Sequence, residues 1–128
     1  MTVTYAEGYD LLRALVRARI RFDADGFTAL FTDDAEMVLD PFLPPLAGHN
    51  DLRAYLLAAA DAERYFDLAV ERHWVSGDAV LAAWHASWTR IGDEAKVRQA
   101  GFLSAEVGAD GRIVRLKQWT VTREHLAG

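Results

Sequence analysis

The chain has no cysteine and only 3 prolines among its 128 residues. Without thiols it can form no disulfide, no thiolate metal site and no cysteine nucleophile. Basic residues are not in excess: 14 Lys and Arg stand against 19 Asp and Glu, a net charge of −5. That balance argues against a nucleic-acid partner, which favours a basic face. Arg13, Arg17 and Arg21 recur at helical spacing and read as a solvated helix face. No apolar run approaches the roughly 20 residues needed to cross a bilayer, so no membrane partner is expected. Met1 to Glu7 show neither the basic region nor the apolar core of a secretory signal, and a cytoplasmic location is the expectation. Repeats, low-complexity tracts and linkers are missing, as are a glycine-rich phosphate loop, a G-x-S-x-G elbow and an H-E-x-x-H metal spacing. His49, His73 and His125 are scattered. Neither a metal nor a cofactor is expected.

What is present is apolar. The hydrophobic fraction is 52%, and one domain over residues 1–128 could bury roughly two-thirds of its unfolded surface. Thr4-x-x-Glu7 forms a capping box ahead of Leu11, Leu12, Leu15, Val16 and Ile20, which predicts a helix to about Phe22. A shorter helix would carry Phe27, Leu30 and Phe31. A strand over residues 36–40 follows, then a proline-rich loop. Asn50 is the expected N-cap of a third helix with Leu52, Tyr55, Leu56 and Ala59 on its apolar face. From Phe66 onward the period changes, with strands expected over 67–75, 79–90, 97–107 and 112–122. Their glycine-containing turns indicate antiparallel hairpins. Helices followed by a strand meander give an α+β fold, with helices on one face of a curved sheet.

The stretch from Asp33 to His49 carries the most chemistry. Pro41 forces the residue before it into an extended backbone, so Asp40 closes an apolar strand with a carboxylate. Such a carboxylate is costly to desolvate unless it faces a cleft or finds partners. It is a candidate general base; the plainer alternative is an aspartate capping the amides of the following loop.

The order of elements resembles the nuclear transport factor 2-like superfamily, and its SnoaL-like members most closely. Ala29-Leu30-Phe31-Thr32-Asp33-Asp34-Ala35, Gly48-His49-Asn50-Asp51-Leu52-Arg53 and Gly111-Arg112-Ile113-Val114-Arg115-Leu116 carry the likeness, which extends over about residues 5 to 122. It implies a cone-shaped fold, three N-terminal helices packed on a curved, mostly antiparallel sheet. Asp40-Pro41-Phe42 is similar to the strand end that holds the base of ketosteroid isomerases, which implies an α-proton shuttle by Asp40. Leu15 and Leu103 stand where those enzymes place their oxyanion donors, so steroid isomerisation is not expected. Where the polyketide cyclases place an acid, this chain has Gln118 and Thr120.

The same alignment turns Leu81, Ala83, His85, Ser87 and Thr89 toward the cone's interior, with His85 as the relay partner of Asp40. A surface histidine is the alternative. Leu15, Phe31, Tyr55, Gln99, Leu103, Leu116, Gln118 and Thr120 are then the expected lining, and the ligand a small apolar or carbonyl-containing molecule. Trp84, Trp88, Phe102 and Trp119 would form an apolar outer face covered by a homodimer partner; the opposite parity would make the tryptophans of 79–90 pocket walls and expose His85. Two functional classes follow: a cofactor-independent isomerase, cyclase or dehydratase, or a non-catalytic ligand-binding or dimerisation module.

Overall fold

The computed structural model describes residues 2–126. Three helices, α1 (Tyr5–Ile20), α2 (Ala24–Thr28) and α3 (Gly48–Ala62), pack on one face of a six-stranded sheet. The strands are β1 (Phe31–Val38), β2 (Leu46–Ala47), β3 (Glu63–Ser76), β4 (Ala79–Arg90), β5 (Lys96–Val107) and β6 (Ile113–His125). Their order is β2-β1-β6-β5-β4-β3. Only β1 and β6 run parallel; the other pairs are antiparallel. Among the described residues no helix is long and apolar enough to cross a membrane.

The capping box forms as expected. Glu7 N donates to Thr4 Oγ1 at 3.1 Å, and Thr4 N donates to Glu7 Oε1 at 2.9 Å. Two of the orphan amides at the start of α1 are thereby satisfied. The helix then lays Leu12, Leu15 and Ala18 into the core.

The middle of the chain departs from expectation. The short helix ends at Thr28 and does not take in Leu30 or Phe31. Ile113 N donates to Leu30 O at 2.8 Å, so β6 draws this segment into the sheet. β1 therefore starts at Phe31, five residues ahead of the expected 36, and ends at Val38, before Asp40. Asn50 is not the N-cap of α3. The helix begins at Gly48, whose φ of 80° suits glycine, and Asp51 accepts from Ala47 N at 2.9 Å in place of a cap side chain.

The hairpin strands lie close to the expected spans, but β4 faces the other way. In an antiparallel pair, directly opposed residues share a face. Ala86 opposes Gln99, Trp84 opposes Gly101, and Ala82 opposes Leu103. Val80, Ala82, Trp84 and Ala86 therefore face the helices and are buried, and Trp88 packs against the core beside Phe66. Trp84 and Trp88 thus do not belong to an outer aromatic face. Phe102 and Trp119 do, and Trp74 joins them 5.9 Å from Phe102.

Candidate ligand cavity

Between α1, α3 and the concave face of the sheet lies a cavity of about 80 Å³. Leu12, Leu15, Val16 and Arg19 bring one stripe of α1 to its wall, and Tyr55 comes from α3. The sheet supplies Phe66, Leu68 and Val70 from β3, Trp84 and Ala86 from β4, Gln99 and Leu103 from β5, and Leu116 and Gln118 from β6. The wall is apolar apart from Arg19, Tyr55, the Trp84 indole and the two glutamines. Among the described residues, no carboxylate lines it.

Six of the expected lining residues are there: Leu15, Tyr55, Gln99, Leu103, Leu116 and Gln118. Phe31 is not; it is fully buried behind the wall, packed on Phe27 at 5.1 Å between ring centroids. Thr120 lies in a separate open groove at the rim, beside Asp40, Gly101 and Gln118, which also takes in Phe102 and Trp119 of the outer face. Gln99 and Gln118 do not pair with each other. Gln99 Nε2 donates to Thr122 Oγ1 at 3.2 Å, which leaves Gln118 as the residue common to cavity and rim groove.

The geometry does not bring Asp40 and His85 together. His85 sits on the outer face of β4, where Nδ1 donates to Glu71 Oε1 at 3.0 Å across the neighbouring strand. The cause is register. The β4–β5 connection pairs odd-numbered residues of one strand with even-numbered residues of the other, and a shift of one residue exchanges the faces. Asp40 is exposed in the bend that follows β1. Phe42 N donates to its Oδ1 at 2.9 Å and Leu43 N to its backbone O at 3.1 Å, with Pro41 at the second position of the turn. This is the loop-capping arrangement, in which an Asp at the first position and a proline at the second stabilise a turn.

The charged residue at the cavity is Arg19, which was not among the expected site residues. Its Nη2 donates to Glu63 Oε1 at 2.9 Å and to Oε2 at 3.2 Å, with side-chain exposures of only 11% and 12% for the pair. The guanidinium lies 4.1 Å from the centre of the Phe66 ring, with Phe22 and Tyr55 farther out at 5.5 and 5.6 Å. Stacking on several rings suits its planar, weakly hydrated cation. The signal was there in the spacing: Arg19 continues the Leu12-Leu15 stripe, whereas Arg13, Arg17 and Arg21 fall on another row.

Two residues of this wall each keep a buried donor without an acceptor. Arg19 Nη1 and Trp84 Nε1 are both buried without a hydrogen-bond partner. Thr120 Oγ1 is buried and unpartnered as well; Thr120 stands in register with Trp84, with Gly101 of β5 between them. The Trp84 ring occupies the space that a side chain at 101 would fill: a Cβ there would overlap the indole. Among the described residues, no group of three His, Cys, Asp or Glu is arranged to hold a metal.

Comparison with curated proteins finds none that matches the sequence. Solved structures do match. The epoxide hydrolase/cyclase-like enzyme SalBIII, with a role in pyran ring formation in the polyether salinomycin, superposes with a TM-score of 0.80 at 18% identity, covering 91% of this chain and 92% of that one. A protein described as a SnoaL-like polyketide cyclase from Shewanella denitrificans gives 0.80 at 13% identity, with 92% of each chain covered. A computationally designed 17-OHP binder gives 0.77 at 17% identity, covering 91% of this chain and 98% of the binder. At these identities the likeness concerns the fold. The sequence itself goes further: residues 12–116 match the model of the SnoaL-like domain, and the chain belongs to that family.

Proposed function

We propose that the protein is a receptacle for a small, mostly apolar molecule held in the cavity between α1 and the sheet. One observation carries this reading: the cavity wall is apolar with a few polar side chains and, among the described residues, contains no carboxylate. Binding sites of this kind orient a ligand through a small number of polar contacts in a hydrophobic enclosure. General acid–base chemistry needs a titratable group within hydrogen-bond reach of the proton it moves. Asp40 is not among the residues that wall this cavity, and His85 lies on the opposite face of the sheet.

The test is a thermal-shift and calorimetric screen with small cyclic ketones, lactones and hydrocarbons, together with chromatography of each mixture. Saturable stabilisation without product is the expected result, and it should persist in Asp40→Asn. No stabilisation by any member of the set would remove the reading.

A second reading keeps Asp40 as the general base of a cofactor-independent isomerase, cyclase or dehydratase. What favours it is the rim groove, where Asp40 and Gln118 lie together while Gln118 also walls the cavity. A ligand reaching outward past Gln118 would meet the carboxylate. Turnover abolished in Asp40→Asn, with binding retained, would select this reading over the first. On either reading we propose that a second copy covers the exposed Phe102 and Trp119 through a two-fold interface. Sedimentation equilibrium of wild type and Trp119→Ser tests that, and a monomeric wild type would refute it.

A further inference from the structure

We infer that the second copy docks on the outer sheet face in one orientation, its β3–β4 half over the β5–β6 half of the first, with Asp67 of each copy paired to Arg123 of the other. This rests on the two-fold covering of Phe102 and Trp119 proposed above, and it specifies which strand lies over which and which charges meet.

The first support is a row of unneutralised charges. Asp67, Ser87, Arg98 and Arg123 are successive cross-strand partners on β3, β4, β5 and β6, and all four are exposed on the face away from the helices. Asp67, Arg98 and Arg123 border one open groove on that face. Arg98 and Arg123 stand directly opposite each other, and like charges so placed are destabilising. Among the described residues, none of Asp67, Arg98 and Arg123 takes part in an ion pair. Two cations at one end of the row and one anion at the other therefore wait for opposite charges from outside.

A second copy supplies them. A two-fold axis parallel to the strands and running between β4 and β5 lays the row on its own reversal. Asp67 then meets the partner's Arg123, and Ser87 meets the partner's Arg98. The next two rows are graded by size in the same sense: Ala69, His85, Ala100 and Val121 form one, and Arg72, Ala83, Phe102 and Trp119 the other. Reversal sets Val121 over the partner's Ala69, Phe102 over the partner's Ala83 and the Trp119 ring over the partner's Arg72. Arg72 already lies along this face, stacked 5.0 Å from the centre of the Trp74 ring, and a second aromatic face suits its cation. Large side chains over small ones and cations over anions are the complementarity that a specific interface needs.

The other aligned packing of two sheets turns the partner about an axis across the strands and lays β6 on β6. With the Phe102–Trp119 row at its centre, Arg123 would face the partner's Arg115. Like charges brought together across an interface oppose association.

The experiment is sedimentation equilibrium and native mass spectrometry of the intact protein at low salt. Asp67→Arg and Arg123→Glu each bring like charges together at both ends of the contact, and each should weaken the dimer at least about a hundredfold. Mixed in equal amounts, the two variants again have opposite charges at both contacts. A one-to-one heterodimer of near wild-type affinity should form, recognised by isotopic labelling of one variant. The double variant Asp67→Arg/Arg123→Glu should dimerise with itself. All the substituted side chains are exposed, and circular dichroism checks each fold; if one single variant fails to fold, the other and the double variant decide. A dimer unchanged by the single variants would overturn this orientation and leave the covered face standing. So would a dimer weakened by both and restored neither by mixing nor in the double variant. A monomeric wild type would remove the covered face and the orientation together.

Discussion

Arg19 and Asp40 both carry full charges beside the interior of this fold, and the chain treats them oppositely. Arg19 is taken out of water, matched by Glu63 and stacked on Phe66. Asp40 is left in water, with its carboxylate bonded to the amide of Phe42. Removing a charge from solvent costs several kcal/mol, so it persists only where partners offset the cost. Position in the family's fold brings a carboxylate to the rim; burial and pairing decide whether it behaves as part of the pocket. By that measure the polar centre of this cone is the Arg19 wall.

The largest expected effect comes from breaking the buried pair. Glu63→Ala leaves Arg19 desolvated without its counter-charge, and urea unfolding should show a loss of about 3–5 kcal/mol. The double variant Arg19→Met/Glu63→Leu removes both charges and should recover most of that loss, since apolar replacements of a buried pair are often neutral or stabilising. A loss below about 1 kcal/mol in Glu63→Ala would mean that water reaches the guanidinium, and the contrast with Asp40 would collapse.

Next in size is Gly101→Ala. The added Cβ would overlap the Trp84 indole and stand 2.7 Å from the carbonyl oxygen of Trp119, a backbone atom that the β5–β6 ladder holds in place. Overpacking of this kind costs about 1–3 kcal/mol. The indole must also move, so ligand affinity in the cavity should fall with stability. Unchanged affinity would show that Trp84 does not shape the site.

At the rim the effects should be small. Asp40→Ala loses one side-chain hydrogen bond in a solvated turn, worth about 1 kcal/mol or less, and Asp40→Asn keeps an acceptor oxygen and should lose less still. Unfolding curves of the two variants measure this. A loss in Asp40→Ala as large as that in Glu63→Ala would mean that the rim carboxylate is held as firmly as the buried one.

The same contrast separates what the sequence disclosed from what it withheld. The capping box at Thr4 and Glu7 was legible because it is a local pattern with one geometric solution. The strand spans of the meander were legible because turn glycines punctuate them. The facing of β4 was not, because Val80, Ala82 and Trp84 on one side and Leu81 and Ala83 on the other are all apolar. Only the register set by the 91–95 connection distinguishes the two faces, and a shift of one residue exchanges them. β5 and β6 were read with Gln99, Leu103, Leu116 and Gln118 inward, and those four do line the cavity. Arg19 went unnoticed because a charged residue on an apolar stripe reads as noise until its partner is known. That partner is Glu63, 44 positions along the chain, and no local pattern pairs the two.

The smallest effect is expected at an exposed counterpart of the Arg19 pair. Glu63 is opposed on β4 by Arg90, which reaches outward to Asp93 at 2.7 Å and to Glu124 at 2.7 Å. Hydrogen bonding from Arg90 draws the Asp93 carboxyl down to about 2 from its ordinary 3.8. A carboxyl with a depressed pKa in the folded state binds its proton less readily there than in the unfolded chain. Its contribution to stability is therefore complete above about pH 4 and is lost as the pH falls toward 2. Both groups are in water, so the contribution is screened by salt, unlike that of the buried pair. Urea midpoints at pH 7, 4 and 2, with and without 1 M NaCl, should differ between wild type and Asp93→Asn by an amount that narrows between pH 4 and 2 and narrows again in salt. The deficit of Glu63→Ala at pH 7 should hardly respond to the same salt. Equal salt sensitivity of the two variants would mean that Arg19 and Arg90 sit in the same medium.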